Sequence, residues 1–146
     1  FTPDLFAAHL VRLAQAARER HRPLTVCVLR VSDTPEIAAA RASGWLDRAL
    51  PQIGSMMGRL VRVEDTAARL GPELFALALP ATNQAAARPA ADRIAAVIGC
   101  TAFDAGPQRK PFVVQFDIGV AEIVAGETAA HALERAARRP SPAKAS

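Results

Sequence analysis

Three observations predict an α+β fold with a central, mostly antiparallel sheet and helices packed on its faces. The run Leu24 to Val31 (LTVCVLRV) is β-branched and almost wholly apolar, as a strand buried on both faces should be. Gly71-Pro72-Glu73 separates two strand-like runs, Thr66 to Leu70 and Leu74 to Leu79, and so reads as a hairpin. The order helix, strand, helices, hairpin, helix, strand, helix has no internal repeat and mixes helices with an antiparallel pair.

The first helix spans Pro3 to Arg20, with Leu5, Phe6, Leu10, Leu13 and Ala17 on one face and Pro3 and Asp4 suited to its first turn. His21-Arg22-Pro23 ends it before the central strand. Asp33, Thr34 and Pro35 then supply a cap and a first-turn proline for a helix from Glu36. An interruption at Ser43-Gly44 predicts two short helices, the second carrying Trp45, Leu46, Leu50, Ile53, Met56 and Met57. After the hairpin, Asn83 to Ile98 is helical, with Ala87, Ala91, Ile94, Ala95 and Ile98 on one face and Arg93 off its edge. Phe112 to Ile123 reads as one long strand, and Thr128 to Arg139 as a last helix. Pro140-Ser141-Pro142 is expected to end the ordered part, giving a domain over 1–139 and a disordered tail over 140–146. The first helix starts without a lead-in, from which an upstream domain is expected.

The 146 residues are 51% apolar, enough for one compact core. No apolar run approaches the roughly 18 residues of a spanning helix, and the start has no signal-peptide pattern. A soluble cytoplasmic domain with no membrane partner is expected. Eighteen Lys and Arg against 14 Asp and Glu give a net charge of +4, but the cations form no block. With one Trp, no Tyr and 6 Phe there are few stacking platforms, so nucleic acid is not the expected partner. Cys27 and Cys100 are far apart and fit neither a zinc site nor a disulfide framework.

Three places could carry chemistry. Arg62-Val63-Glu64-Asp65 sets a guanidinium and a carboxylate three residues apart, which suits a guanine nucleotide or a phosphate. Taken alone, the motif is weak and is first of all a local ion pair on a solvated face. Gly71 at the hairpin tip would let backbone approach a phosphate, and Glu73 is the one metal-ligating side chain there, while Pro72 removes an amide donor. Arg30 ends the central strand at the sheet edge where ligands often bind, or else is a buried cation with a carboxylate partner.

In full register these residues resemble a known family. VRVEDTAARLGPELFALALP is similar to a degenerate GGDEF segment, the signature of diguanylate cyclases, which join two GTP molecules into cyclic di-GMP. The resemblance covers nearly the whole chain and implies a nucleotide-cyclase-like fold. Leu5 to Arg22 resembles the family's first helix, Leu24 to Val31 its first strand, Asp117-Ile118-Gly119-Val120 its Ser-Ile-Gly-Val, and Ala143-Lys144 its terminal Ala-Lys.

Carried over position by position, the resemblance implies a lost catalytic site. Gly71, Pro72, Glu73, Leu74 and Phe75 stand for Gly-Gly-Asp/Glu-Glu-Phe, without the second glycine and the fourth-position acid. Arg30-Val31-Ser32 replaces the Asp-Ile-Asp whose first Asp helps to hold two magnesium ions. Ala38 replaces a guanine-reading Asn, although Asp47 matches a guanine-reading Asp. Ala136-Ala137-Arg138-Arg139-Pro140 replaces most of an Ala-Asp-x-Ala-Leu-Tyr helix. No catalytic residue, no metal and no cofactor are expected, and Arg30 is expected to pair with Glu73 in place of a cation.

The same register implies a retained product-binding site. Arg62 and Asp65 stand nine and six positions before Gly71, and Arg93 stands eighteen after Phe75, as in product-inhibited cyclases. The implied function is that of an inactive cyclic di-GMP receptor of the PopA type. It would bind an intercalated ligand dimer at Arg62, Asp65 and Arg93 and signal to a protein partner, with a homodimer as one arrangement. The alternatives are a ligand-independent interaction or dimerisation module, and residual cyclase activity completed by a partner.

Overall fold

The structure is a computed structural model, and it describes residues 2–138 and 140–144. Five strands form one antiparallel sheet in the order β2-β3-β1-β4-β5. The strands are β1 (Leu24–Val31), β2 (Thr66–Gly71), β3 (Leu74–Pro80), β4 (Phe116–Glu122) and β5 (Ser141–Pro142). The helices are α1 (Pro3–Arg20), α2 (Pro35–Ser43), α3 (Trp45–Leu60), α4 (Gln84–Gly99) and α5 (Ala129–Arg138). The expected α+β architecture is therefore the observed one. No helix among the described residues is long and apolar enough to cross a membrane.

β1 is central because both of its faces are apolar. Cys27, Leu29 and Val31 point into a core shared with α2, α3 and α4, while Leu24, Val26 and Val28 point into one shared with α1 and α5. Arg30 is the one exposed residue of the strand. Burial pushes the Cys27 thiol up to about 12, whereas Cys100, just past α4, is exposed.

Local chemistry sets the element ends. The Thr2 hydroxyl accepts from the Leu5 N–H to start α1, and Thr34 and Asn83 cap α2 and α4 in the same way. Gly44, at φ +84°, separates α2 from α3, as its place in the sequence predicts.

Two expectations need correction. The long strand over Phe112 to Ile123 is shorter, because its ladder with β1 stops at Val31 opposite Phe116, and beyond that pair only the Ser32 N–H, donating to Gln115 O at 2.8 Å, continues it among the described residues. Phe112 instead bridges to Phe103, against which its ring packs at 5.8 Å. The segment after α5 is not a disordered tail over its described part: Ser141–Pro142 pairs with β4, and Ala143 N–H donates to Phe116 O. The Arg88 guanidinium donates to the carbonyls of Ser141, Pro142 and Ile118 and to the Ser141 hydroxyl. Asp92, paired with Arg88, accepts from Lys144 N–H. Arg139, expected to end the last helix, and residues 145–146 of the expected tail lie outside the described residues.

The turn into α5 centres on Glu127, whose carboxylate accepts from Arg135, His131 and the Val124 N–H. The Arg135 hydrogen bond lowers its pKa from 4.5 to about 2 against the opposing effect of burial. A carboxyl held below its unfolded value stabilises the fold above pH 4.5 and loses that contribution as pH falls towards 2. Glu127→Gln should therefore lower the melting temperature at neutral pH, with the gap to wild type closing between pH 4.5 and 2. Thermal scans across pH check this, and a gap of constant size would contradict it.

Candidate functional site

The chain leaves α3 at Leu60 and turns tightly through Arg62, where Asp65 N–H donates to Arg62 O at 3.0 Å. The Asp65 side chain is only 4% exposed. It accepts from Arg62 Nε at 3.1 Å, from Nη2 at 3.0 Å and from the Arg62 backbone N–H at 3.0 Å. One edge of the guanidinium is thus fixed side-on, and hydrogen bonding to Asp65 raises the arginine's pKa further. Nη2 also donates to Thr82 Oγ1 at 2.8 Å and to Pro80 O at 3.3 Å. Glu64 Oε1 lies 3.0 Å from Nε. Nη1 has no partner among the described residues.

Arg93 projects from α4 towards the same place. Arg62 and Arg93 both line a cleft of about 500 Å³ between the end of α3 and α4. Its walls are Leu60, Ile94, Val97 and small alanines, with Thr82 beside Arg62. Arg93 makes no hydrogen bond or ion pair among the described residues. The three residues expected at one site are therefore brought together, Asp65 as the buried partner that fixes Arg62 and the arginines as wall. Two guanidiniums over an apolar surface suit an anionic ligand with flat heteroaromatic rings.

The hairpin tip is built differently from the expectation. Arg69 donates to the carbonyls of Gly71 and Pro72, a bulge lies between Arg69 and Gly71, and Val31 N–H donates to Glu73 O at 3.0 Å. Phe75 is buried edge-on against Phe116 at 6.4 Å. Glu73 does not pair with Arg30. Its carboxylate takes Arg41 of α2 in a bidentate contact, Nε at 2.9 Å and Nη2 at 2.7 Å, and Arg41 also donates to Asp33 at 3.1 Å.

Strand parity explains the correction. Arg30 lies opposite Leu74 and shares the face of Val26 and Val28, whereas α2 packs on the other face. Arg41 was missed because its position in the last turn of α2 shows no signal until that parity is applied. Leu74 joins the α1 and α5 core, and Pro72 is exposed. Ser32 donates to Asp117 at 2.9 Å. Ala38 and Asp47 are exposed on α2 and α3, and neither bonds to the tip.

The donor set at the tip does not fit the magnesium that the resemblance implies. The carboxylates of Asp33 and Glu73 already share one guanidinium, and the Ser32 hydroxyl is committed to Asp117. Among the described residues no group of three His, Cys, Asp or Glu side chains could hold a metal.

The family model described as "Diguanylate cyclase, GGDEF domain" matches residues 4–146. Among solved structures, the GGDEF domain of DgcB from Caulobacter crescentus in complex with c-di-GMP is 21% identical with a TM-score of 0.81, over 93% of this chain and 78% of that one. Diguanylate cyclase SiaD from Pseudomonas aeruginosa, in complex with its activator SiaC, is 23% identical with a TM-score of 0.81. There the match covers 93% of this chain and 52% of SiaD, so this chain spans about half of that protein. The GGDEF domain of PA1120 (YfiN or TpbB) from P. aeruginosa is 27% identical with a TM-score of 0.79, over 94% and 85%. No curated protein matches.

Proposed function

The chain belongs to the diguanylate cyclase GGDEF domain family, and on that premise we propose that it is a cyclic di-GMP receptor rather than a cyclase. The observation that carries this reading is the cleft in which Arg62, fixed by buried Asp65, faces Arg93 across an apolar wall. Cyclic di-GMP offers two phosphates and two guanines, each with acceptors that a guanidinium reads well. An intercalated ligand dimer would use both arginines. The relative DgcB was solved with c-di-GMP, which fits the same ligand class.

The absence of cyclase activity is the second half of the proposal. In-line phosphoryl transfer needs metal ions and charge neutralisation at the triphosphate. Here the tip presents Pro72 and Leu74, and its one acid is held by Arg41. Output would pass through protein contacts, as a receptor without chemistry requires.

The reading as a ligand-independent interaction module also has an observation behind it. Leu10, Val11, Leu70, Leu74 and Leu133 line an apolar cleft of about 420 Å³ between α1 and α5, with Leu5 exposed on the same helix. Calorimetric titration with cyclic di-GMP decides between the two readings. Saturable binding, with no cyclic di-GMP formed from GTP and magnesium, is expected. No heat of binding would favour the module, and product that scales with protein would restore the cyclase.

A further inference from the structure

The Arg62 side chain is shared among more acceptors than any other guanidinium in the cleft, and the acceptors are unlike one another. Thr82 is 8% exposed, and its hydroxyl accepts from Arg62 Nη2 at 2.8 Å while donating to Pro80 O at 3.0 Å. Both hydroxyl directions are therefore committed. The Thr82 carbonyl in turn accepts from the hydroxyl of fully buried Thr25 on β1 at 2.7 Å. A chain of hydrogen bonds thus runs from the central strand through Thr82 to the guanidinium. Glu64 is the opposite case. Its carboxylate is 48% exposed and touches Nε on the solvent side, 3.0 Å away, where Asp65 already satisfies that N–H.

We infer that these two residues set the affinity of the cleft for an anionic ligand: Thr82 positions Arg62, and Glu64 competes with the ligand for it. The inference rests on the reading of the cleft as a cyclic di-GMP site. With one edge on Asp65 and Nη2 pinned by Thr82, the two N–H groups of Nη1 face the cleft in a fixed direction. The ligand then meets a side chain whose rotamers are already restricted, which lowers the ordering cost of binding. Glu64 works the other way. An exposed carboxylate at 3.0 Å lowers the positive potential that draws a phosphate in, and must be displaced or outweighed when a second anion arrives. Glu64 is solvated, and the Thr82 hydroxyl bonds to the Arg62 side chain and to the Pro80 carbonyl where β3 ends, outside the two apolar cores. Thr82 is thus a positioning residue, and Glu64 one that tunes affinity.

The test uses Thr82→Val, Thr82→Ser and Glu64→Gln, each titrated with cyclic di-GMP by calorimetry at low and high salt. Thr82→Val keeps the shape and loses the hydroxyl, and should weaken binding about fivefold. Thr82→Ser restores the hydroxyl and should return affinity to within about twofold of wild type. Glu64→Gln should tighten binding about threefold at low salt, with the gain shrinking as salt screens the competing charge. A second readout needs no ligand. In proton–nitrogen correlation spectra the Arg62 Nη2–H signal, from the group that Thr82 accepts, should be slow to exchange in wild type and Thr82→Ser, and fast or shifted in Thr82→Val.

Equal affinities for the valine and serine variants, or an unmoved Arg62 signal in the valine variant, would overturn the role of Thr82. Weaker or unchanged binding in Glu64→Gln would overturn the competition. If wild type fails to bind cyclic di-GMP while the Arg62 signal behaves as expected, the receptor reading and the affinity-setting roles fall, and the anchoring of Arg62 by Thr82 stands.

Discussion

Arg62→Ala should lower the affinity for cyclic di-GMP by about a hundredfold, the equivalent of one charge-assisted, multiply bonded arginine contact of up to about 3 kcal/mol. The loss has two sources. The ligand loses the Nη1 donors, and Asp65, only 4% exposed, loses the cation that neutralises it and becomes an uncompensated charge at the edge of the cleft. The second effect makes the variant worse than simple truncation, because the remaining carboxylate repels phosphate. Arg62→Ala with Asp65→Asn removes that repulsion and should recover part of the affinity. Arg93→Ala has no such buried partner and should cost less than Arg62→Ala. Calorimetry on the four proteins, with circular dichroism to confirm folding, checks the order. Unchanged affinity in Arg62→Ala would place the ligand elsewhere.

Gly119→Ala should be the most damaging glycine-to-alanine change among the described residues. Gly119 lies on β4 beneath α5, and a Cβ built on it would sit 1.6 Å from the Ala136 carbonyl oxygen and 2.8 Å from its carbon. Both atoms are backbone, so no rotamer change relieves the clash, and α5 would have to lift from the sheet. The cost should be on the order of 4 kcal/mol or more, at the extreme of single substitutions. In a chain of this size that is a fall in melting temperature on the order of 12 °C. Gly58→Ala is the matched control. Gly58 is helical in α3 with nothing within 4 Å of the added Cβ, so alanine there should stabilise by about 0.5 to 1 kcal/mol. Thermal scans of the two variants check the contrast, and a Gly119→Ala protein that melts with wild type would contradict the packing described.

Much of this was legible in the sequence because the governing patterns are local. The apolar run of β1, the break at Gly44, the hairpin at Gly71 and the helical faces each need only a few neighbouring residues to read. The distances from Arg62 and Asp65 to Gly71, and from Phe75 to Arg93, could also be counted along the chain. What escaped depends on contacts made across the fold. The partner of Glu73 is 32 residues away on α2, and which arginine reaches it follows from the side of the sheet each occupies. β5 is two residues long and is held by Arg88, 53 residues earlier, so neither its length nor its composition marks it as a strand. The late start of β4, at Phe116, follows from where its pairing with β1 stops, a property of the partner strand.

The burial of Cys27 has a practical consequence. The two thiols differ completely in access: Cys27 is 0% exposed at the middle of the central strand, and Cys100 lies open past the end of α4. A thiol reagent therefore finds one site on the folded chain, just past the helix that carries Arg93, and a fluorophore placed there needs no engineered cysteine. The second thiol faces the core beneath α2, α3 and α4 and becomes reactive only when that core opens. Its labelling counts whole-domain openings one by one, and makes the chain its own clock for how often, with or without ligand, it comes apart.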